Sequence, residues 1–164
     1  VRDERAYATV VACFAAGLYL ALLVAGFGLT SLAANTEVIA DSRAGPLIGP
    51  AMTGAAVALL LILLILFGRR APGKRQRVDP GFAFGVATAC SLVFAAAGGV
   101  AGIAGDPGQS FHYVLFAVAQ LGSVYTIVTG LLGFVVALLY QLVLVGRFRQ
   151  RGRPRWPWED GDEE

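Results

Sequence analysis

The side chains able to carry out chemistry are few. The chain has one histidine, His112, and two cysteines, Cys13 and Cys90. A zinc or iron centre needs three or four His, Cys or carboxylate ligands converging on one point, and His112 with the nearby Asp106 falls short of that. A Ser/His/Asp triad is not assembled from a lone histidine beside the loop Asp106-Pro107-Gly108-Gln109-Ser110. The cysteines form no Cys-x-x-Cys pair, and thiols in apolar surroundings are inert. Gly98-Gly99 and Gly102 lack the strand, lysine and helix context of a phosphate loop. The expectation is a non-enzyme with no cofactor and no metal, in which His112 hydrogen-bonds at a membrane boundary.

One set of polar residues stands out. Ser123, Thr126, Tyr140 and Gln141 fall in a long apolar block, where they would either line a path for a neutral or weakly polar solute or bond helices together. Hydroxyls in lipid commonly bond back to their own helix, and interhelical hydrogen bonds there contribute about 0.6 kcal/mol on average, which favours the second reading. In the segment 35–43, Glu37 and Asp41 beside Arg43 form an acidic pair that could take a cation. A solvated loop explains it more simply.

The elements that position these residues are set by charge. Of 164 residues 57% are hydrophobic and only 15% charged, the mean hydropathy is +0.68 and the net charge +2, whereas a soluble domain carries about 25% charged residues. Charges are absent from four stretches of 31, 25, 26 and 40 residues, between Arg5 and Glu37, Arg43 and Arg69, Asp79 and Asp106, and Asp106 and Arg147. About 20 apolar residues cross a hydrocarbon core, so each stretch supplies one span. The fold class expected is all-α: a polytopic membrane protein, an up-down bundle of four transmembrane helices at about 7–33, 46–68, 81–104 and 111–146, with a cytoplasmic tail over 147–164. The fourth helix, roughly 50 Å long at 1.5 Å per residue, must tilt or protrude. Pro46 suits a first helical turn, while Pro50 is expected to kink the second helix.

Orientation follows from Lys and Arg. Twelve of the 13 fall at the N-terminus, in the 69–77 loop and in the tail, against Arg43 alone on the other side, which places both termini in the cytoplasm. The first block is too long for the apolar region of a signal peptide and is expected to be retained. With no Asp, Glu, Lys or Arg inside a span, the sequence argues against an ion-coupled pump or voltage sensor.

Small residues mark the faces along which such helices associate. Gly81, Gly85, Thr88, Leu92, Ala95, Gly99 and Gly102 form a seam on the third helix; Ala119, Ser123, Thr126, Gly130, Gly133, Ala137 and Gln141 form one on the fourth. A looser stripe, Cys13, Gly17, Ala21, Val24, Gly28 and Ser31, runs along the first. The second helix has small residues only in its outer half, and its bulky stretch 59–67 is expected to face lipid or a partner chain. In the tail, Arg147, Arg149, Arg151, Arg153 and Arg155 precede Trp156-Pro157-Trp158 and an acidic end. Arginines there attract anionic lipid headgroups at about 1 kcal/mol each, and Trp156 and Trp158 suit the interface; docking of a cytoplasmic partner is the alternative. The acidic end argues against nucleic acid.

With its four spans, Ala/Gly/Val/Arg-rich usage, the segment Ala44-Gly45-Pro46-Leu47-Ile48-Gly49-Pro50-Ala51-Met52 and the closing Pro154-Arg155-Trp156-Pro157-Trp158, the chain resembles the small uncharacterised multi-pass membrane proteins of high-GC Gram-positive bacteria. The resemblance implies a bacterial plasma membrane and carries no activity or catalytic residues. The expected role is a structural or accessory subunit, with the bilayer and a membrane-protein partner or a second copy as its contacts; the alternative is a small transporter or channel.

Overall fold

A helix in an apolar medium satisfies its backbone internally, and among the described residues the uncharged blocks are mostly helical. The computed structural model describes residues 2–34, 47–70 and 78–150. α1 is Arg2–Ala34, α2 Ile48–Arg70, α3 Pro80–Gly105, α4 Ser110–Leu121 and α5 Val124–Gln150, with one 3-10 turn at Pro107–Gln109. Four stretches are long and apolar enough to cross a membrane: Arg5–Ala33, Ile48–Arg69, Pro80–Gly105 and Val124–Gly146.

The up-down order is visible in side-chain pairs along each interface. Tyr140 of α5 reaches Ala8 of α1 and Leu64 of α2, and Tyr19 reaches Thr129 higher up. Phe27 meets Tyr125, with ring centroids 5.6 Å apart. Cys90 of α3 lies against Ala56 of α2, and Phe67 stacks on Phe82 at 4.2 Å. Thus α1, α2, α3 and α5 form a closed ring of antiparallel neighbours, and α4 rests on the C-terminal half of α3.

The fourth block is not the single helix expected over 111–146. It breaks at Gly122-Ser123, where Ser123 begins a new helix: its Oγ accepts from Thr126 N at 3.2 Å, an N-cap three residues before its donor. Thr126 Oγ1 in turn donates to Gln120 O at 2.6 Å, capping a carbonyl left over from α4. The break shortens the presumed 50 Å rod, and α4, with 12 residues, is too short to span by itself.

Turns at the two ends of α3 use one device. Asp79 and Asp106 each precede Pro-Gly, and each carboxylate accepts from the glycine N–H two residues on, at 2.9 and 3.1 Å. Proline fixes φ and needs no donor partner at this position. Pro50 likewise sits in the first turn of α2, which starts at Ile48 rather than 46, so it removes no helical hydrogen bond and the expected kink has no cause.

Burial corrects several faces. On α3 the buried residues are Ala83, Val86, Cys90, Phe94, Ala95, Gly98, Gly99 and Gly102. Of the predicted seam, Ala95, Gly99 and Gly102 are buried, while Gly81, Gly85, Thr88 and Leu92 are exposed. A 4-3 spacing holds one face only in a supercoiled helix, and a straight helix drifts about 20° per heptad away from it. The α5 seam holds better: Thr126, Gly130, Gly133, Ala137 and Gln141 are buried, Ser123 is half-buried and Ala119 of α4 is exposed. On α1 the stripe from Cys13 to Gly28 faces outward, and Ala8, Ala12, Ala16, Tyr19 and Leu23 turn inward instead.

The C-terminal half of α2, expected to face lipid or a partner chain, is also a correction. Leu60 and Leu64 are fully buried and continue the row Ile48, Met52, Ala56 at four-residue spacing; only Ile62 and Leu66 of the bulky stretch are exposed. Small residues on α1 and α3 supply the room that α2 lacks.

At the C-terminal end of α3, α4 lies flat on it because Gly98, Gly99 and Gly102 allow it. A Cβ on Gly99 would fall 2.9 Å from Ala117 Cβ and 3.1 Å from Tyr113 O, and one on Gly102 would meet the Tyr113 ring. Gly99→Ala should therefore separate α3 from α4 and cost about 1–3 kcal/mol, lowering the unfolding midpoint in detergent. Gly85→Ala, which meets nothing within 4 Å, should hold or raise it by helix propensity. Equal midpoints for the two variants would contradict the close packing.

Candidate functional site

The polar groups inside the spans gather into three junctions, each built by a side chain that crosses between helices. At the end of the bundle where α1 begins and α5 ends, Tyr140 OH donates to Leu64 O at 3.0 Å, with Ala8 O at 3.3 Å as a second acceptor for the same proton. One hydroxyl thereby joins α1, α2 and α5. Tyr140 is 1% exposed. The junction requires Gly68: a Cβ there would collide with the Tyr140 hydroxyl and lie 2.9 Å from Ala8 Cβ.

One residue further on, Gln141 closes the second junction. Its Nε2 donates to Asp79 O at 3.1 Å, and its Oε1 accepts from Asp79 N. The carboxamide thus clamps both backbone groups of the residue that caps α3, while the Asp79 carboxylate turns the other way to accept from Gly81 N and Phe82 N. Gln141 is buried to 1% exposure, so its amide stays satisfied only while this clamp holds.

The third junction lies at the helix break and just below it. Ser123 Oγ donates to Thr126 Oγ1 at 3.1 Å, Ser91 Oγ of α3 donates to Thr126 O at 3.2 Å, and Tyr19 OH of α1 donates to Thr129 O at 2.9 Å. Gly130 admits Ser91, whose hydroxyl a Cβ at 130 would strike. Thr129 bonds back to Tyr125 O at 2.8 Å and Thr88 to Phe84 O at 3.0 Å, the self-bonding expected of hydroxyls in helices.

Ser123, Thr126, Tyr140 and Gln141 therefore each bond within the protein. They do not form one stripe: Ser123 and Thr126 sit at the break, Tyr140 and Gln141 some 15 residues further along α5, and they serve different neighbours. Sequence reasoning missed Asp79, Tyr19, Ser91 and Gly68 as members. Only Asp79 carried a signal, an Asp-Pro-Gly helix start; the others are ordinary apolar-face residues whose partners come from distant helices.

The remaining candidates are scattered. Cys90 is buried with its thiol 3.8 Å from Ala56 O, and Cys13 is exposed on α1; both are free thiols. His112 is half-buried and packs edge-on to Tyr113 at 5.4 Å. Among the described residues no group of three His, Cys, Asp or Glu converges. Arg147 and Arg149 lie on the last turns of α5, whose side chains fall outside the description, as do Arg151, Arg153, Arg155, Trp156, Trp158, Glu37 and Asp41 altogether.

These junctions have distinct mutational signatures. Tyr140→Phe removes one donor and should cost about 1 kcal/mol. Gln141→Leu removes both clamp bonds, and the first turn of α3, residues 79–83, should then exchange its amide hydrogens faster than the rest of the helix. Unchanged exchange there, measured by mass spectrometry on the solubilised protein, would refute the clamp.

Neither the curated proteins nor the solved structures hold a match to this chain. A family model does match, from residue 1 to residue 164. With its all-helical bundle and its four apolar, membrane-length helices, the chain belongs to DUF6121, a family of unknown function.

Proposed function

We propose that this is a non-enzymatic structural or accessory subunit of a bacterial plasma-membrane complex, of the high-GC Gram-positive type, with both termini in the cytoplasm. One observation carries the reading. The polar side chains of the junctions bond inside the bundle, whereas α1 turns outward a stripe, Cys13, Gly17, Ala21, Val24 and Gly28, that is small at all but Val24 and that its own bundle does not use. Added Cβ atoms at Gly17 and Gly28 would meet nothing within 4 Å. In lipid, small residues favour helix association because backbones approach closely there, so a second membrane helix is the natural neighbour for this face. Arginines at the tail and in the 69–77 loop would add contacts to anionic headgroups.

Affinity purification in mild detergent tests this. A co-purifying partner or a stable homo-oligomer is expected, and Gly17→Leu should weaken the association by at least several-fold without lowering thermal stability. A strictly monomeric protein with no partner would overturn it. Tags on both termini should be protected in intact cells; labelling of either from outside would overturn the orientation.

The helix break favours a second reading, a small transporter or channel for a neutral or weakly polar solute. Discontinuous membrane helices often mark binding sites, and Gln120 and Thr126 are buried at this one. The internal bonding of Ser123 and Thr126 weighs against it. Solute flux in proteoliposomes that Thr126→Val abolishes would favour transport over the accessory role.

A further inference from the structure

Three helices meet at the Tyr140 junction, and each brings arginine to the same end of the bundle. Gly68 and Ala8 approach so closely that α1 and α2 touch there. Arg69 follows Gly68, Arg5 precedes Ala8 by three residues, and both side chains are exposed. Arg147 lies seven residues past Tyr140 on the continuing α5 helix, about 10 Å further along the axis. α1 and α3 begin here and α2 and α5 end here, and the sequence attached to these helix ends is residues 1–5, 69–79 and 147–164. Together they hold twelve basic residues against eight acidic ones, and five of those eight belong to residues 159–164.

We propose that the acidic C-terminal end, residues 159–164, docks on the arginine patch around Arg5 and Arg69 and competes there with anionic lipid headgroups. The inference rests on the multi-pass reading above. Charge complementarity favours the contact, since the tail end carries five carboxylate side chains and Asp3 and Glu4 are the acids nearest the patch in sequence. Reach favours it as well. α5 ends at Gln150 on this same end, and the 14 residues beyond it extend to at most about 50 Å, several times the 8–10 Å between adjacent helices. The contact would make the lipid affinity of this end adjustable, because withdrawing the acids leaves its basic residues to the headgroups.

Cross-linking tests the contact in the full chain reconstituted in nanodiscs. Lys74 is the only lysine, so R69K in a K74R background places the sole side-chain amine beside the patch. Carbodiimide should join it to carboxylates of residues 159–164 within one molecule in neutral phosphatidylcholine, and the yield should fall several-fold when phosphatidylglycerol is included. No such cross-link in neutral lipid, or cross-links that join light to heavy chains in an isotope mixture, would overturn the proposal. Trp156 and Trp158 are the only tryptophans, so their emission reports on the tail alone. The variant E159Q/D160N/D162N/E163Q/E164Q should be quenched by brominated phosphatidylglycerol several-fold more than the wild type, and equal quenching would also overturn it. Both measurements use a single purified chain, so their failure leaves the accessory role untouched, and a monomer without partners leaves this contact intact.

Discussion

In an apolar environment, each polar group that enters must find a partner inside the protein, because leaving it bare costs several kcal/mol. The arrangement of this bundle follows from that constraint. Tyr140, Gln141, Tyr19 and Ser91 are held between helices by acceptors on the backbone of a neighbour. A backbone carbonyl inside a helix already accepts one bond and has a second lone pair to offer, so these side chains join helices without unwinding any of them. Gln141 is the exception that uses a free end, and it finds one at the start of α3.

Close approach is the second requirement of such bonds, and glycine and alanine provide it. Gly68 makes room for Tyr140 and Gly130 for Ser91, while Gly99 and Gly102 let α4 lie on α3. Large and small residues thereby alternate across each interface. The row of leucines on α2 finds its space against small faces on its neighbours, and Tyr19 and Phe94 fill the middle of the bundle at zero exposure. The outward stripe on α1 shows the same chemistry without a partner in the bundle. That contrast supports the proposed subunit role.

Some of this was legible in the residues and some was not. The uncharged blocks gave the number of long helices, and Thr126, Gly130, Gly133, Ala137 and Gln141 of the α5 seam fall on buried positions. The α3 seam was read with a coiled-coil period and so drifted off the buried face in its first half. Ser123 was read as a small residue within a seam; its role as an N-cap, accepting from Thr126 N, is recognisable only once a helix start is looked for there. Two small-residue stripes on α1, one through Ala8, Ala12 and Ala16 and one through Cys13, Gly17 and Ala21, are equivalent by composition and spacing.

The sequence by itself determined that four long apolar helices form and roughly where they run, because charge and hydropathy act locally along the chain. Tertiary structure decided which stripe of α1 turns inward, that the C-terminal half of α2 is core, that the last block breaks in two, and which carbonyls Tyr140 and Gln141 reach. Those outcomes depend on pairs far apart in the chain, such as Tyr140 with Ala8 and Gln141 with Asp79. A hydrogen bond between distant residues leaves no periodicity in either segment, and the partner is fixed only when the helices have packed.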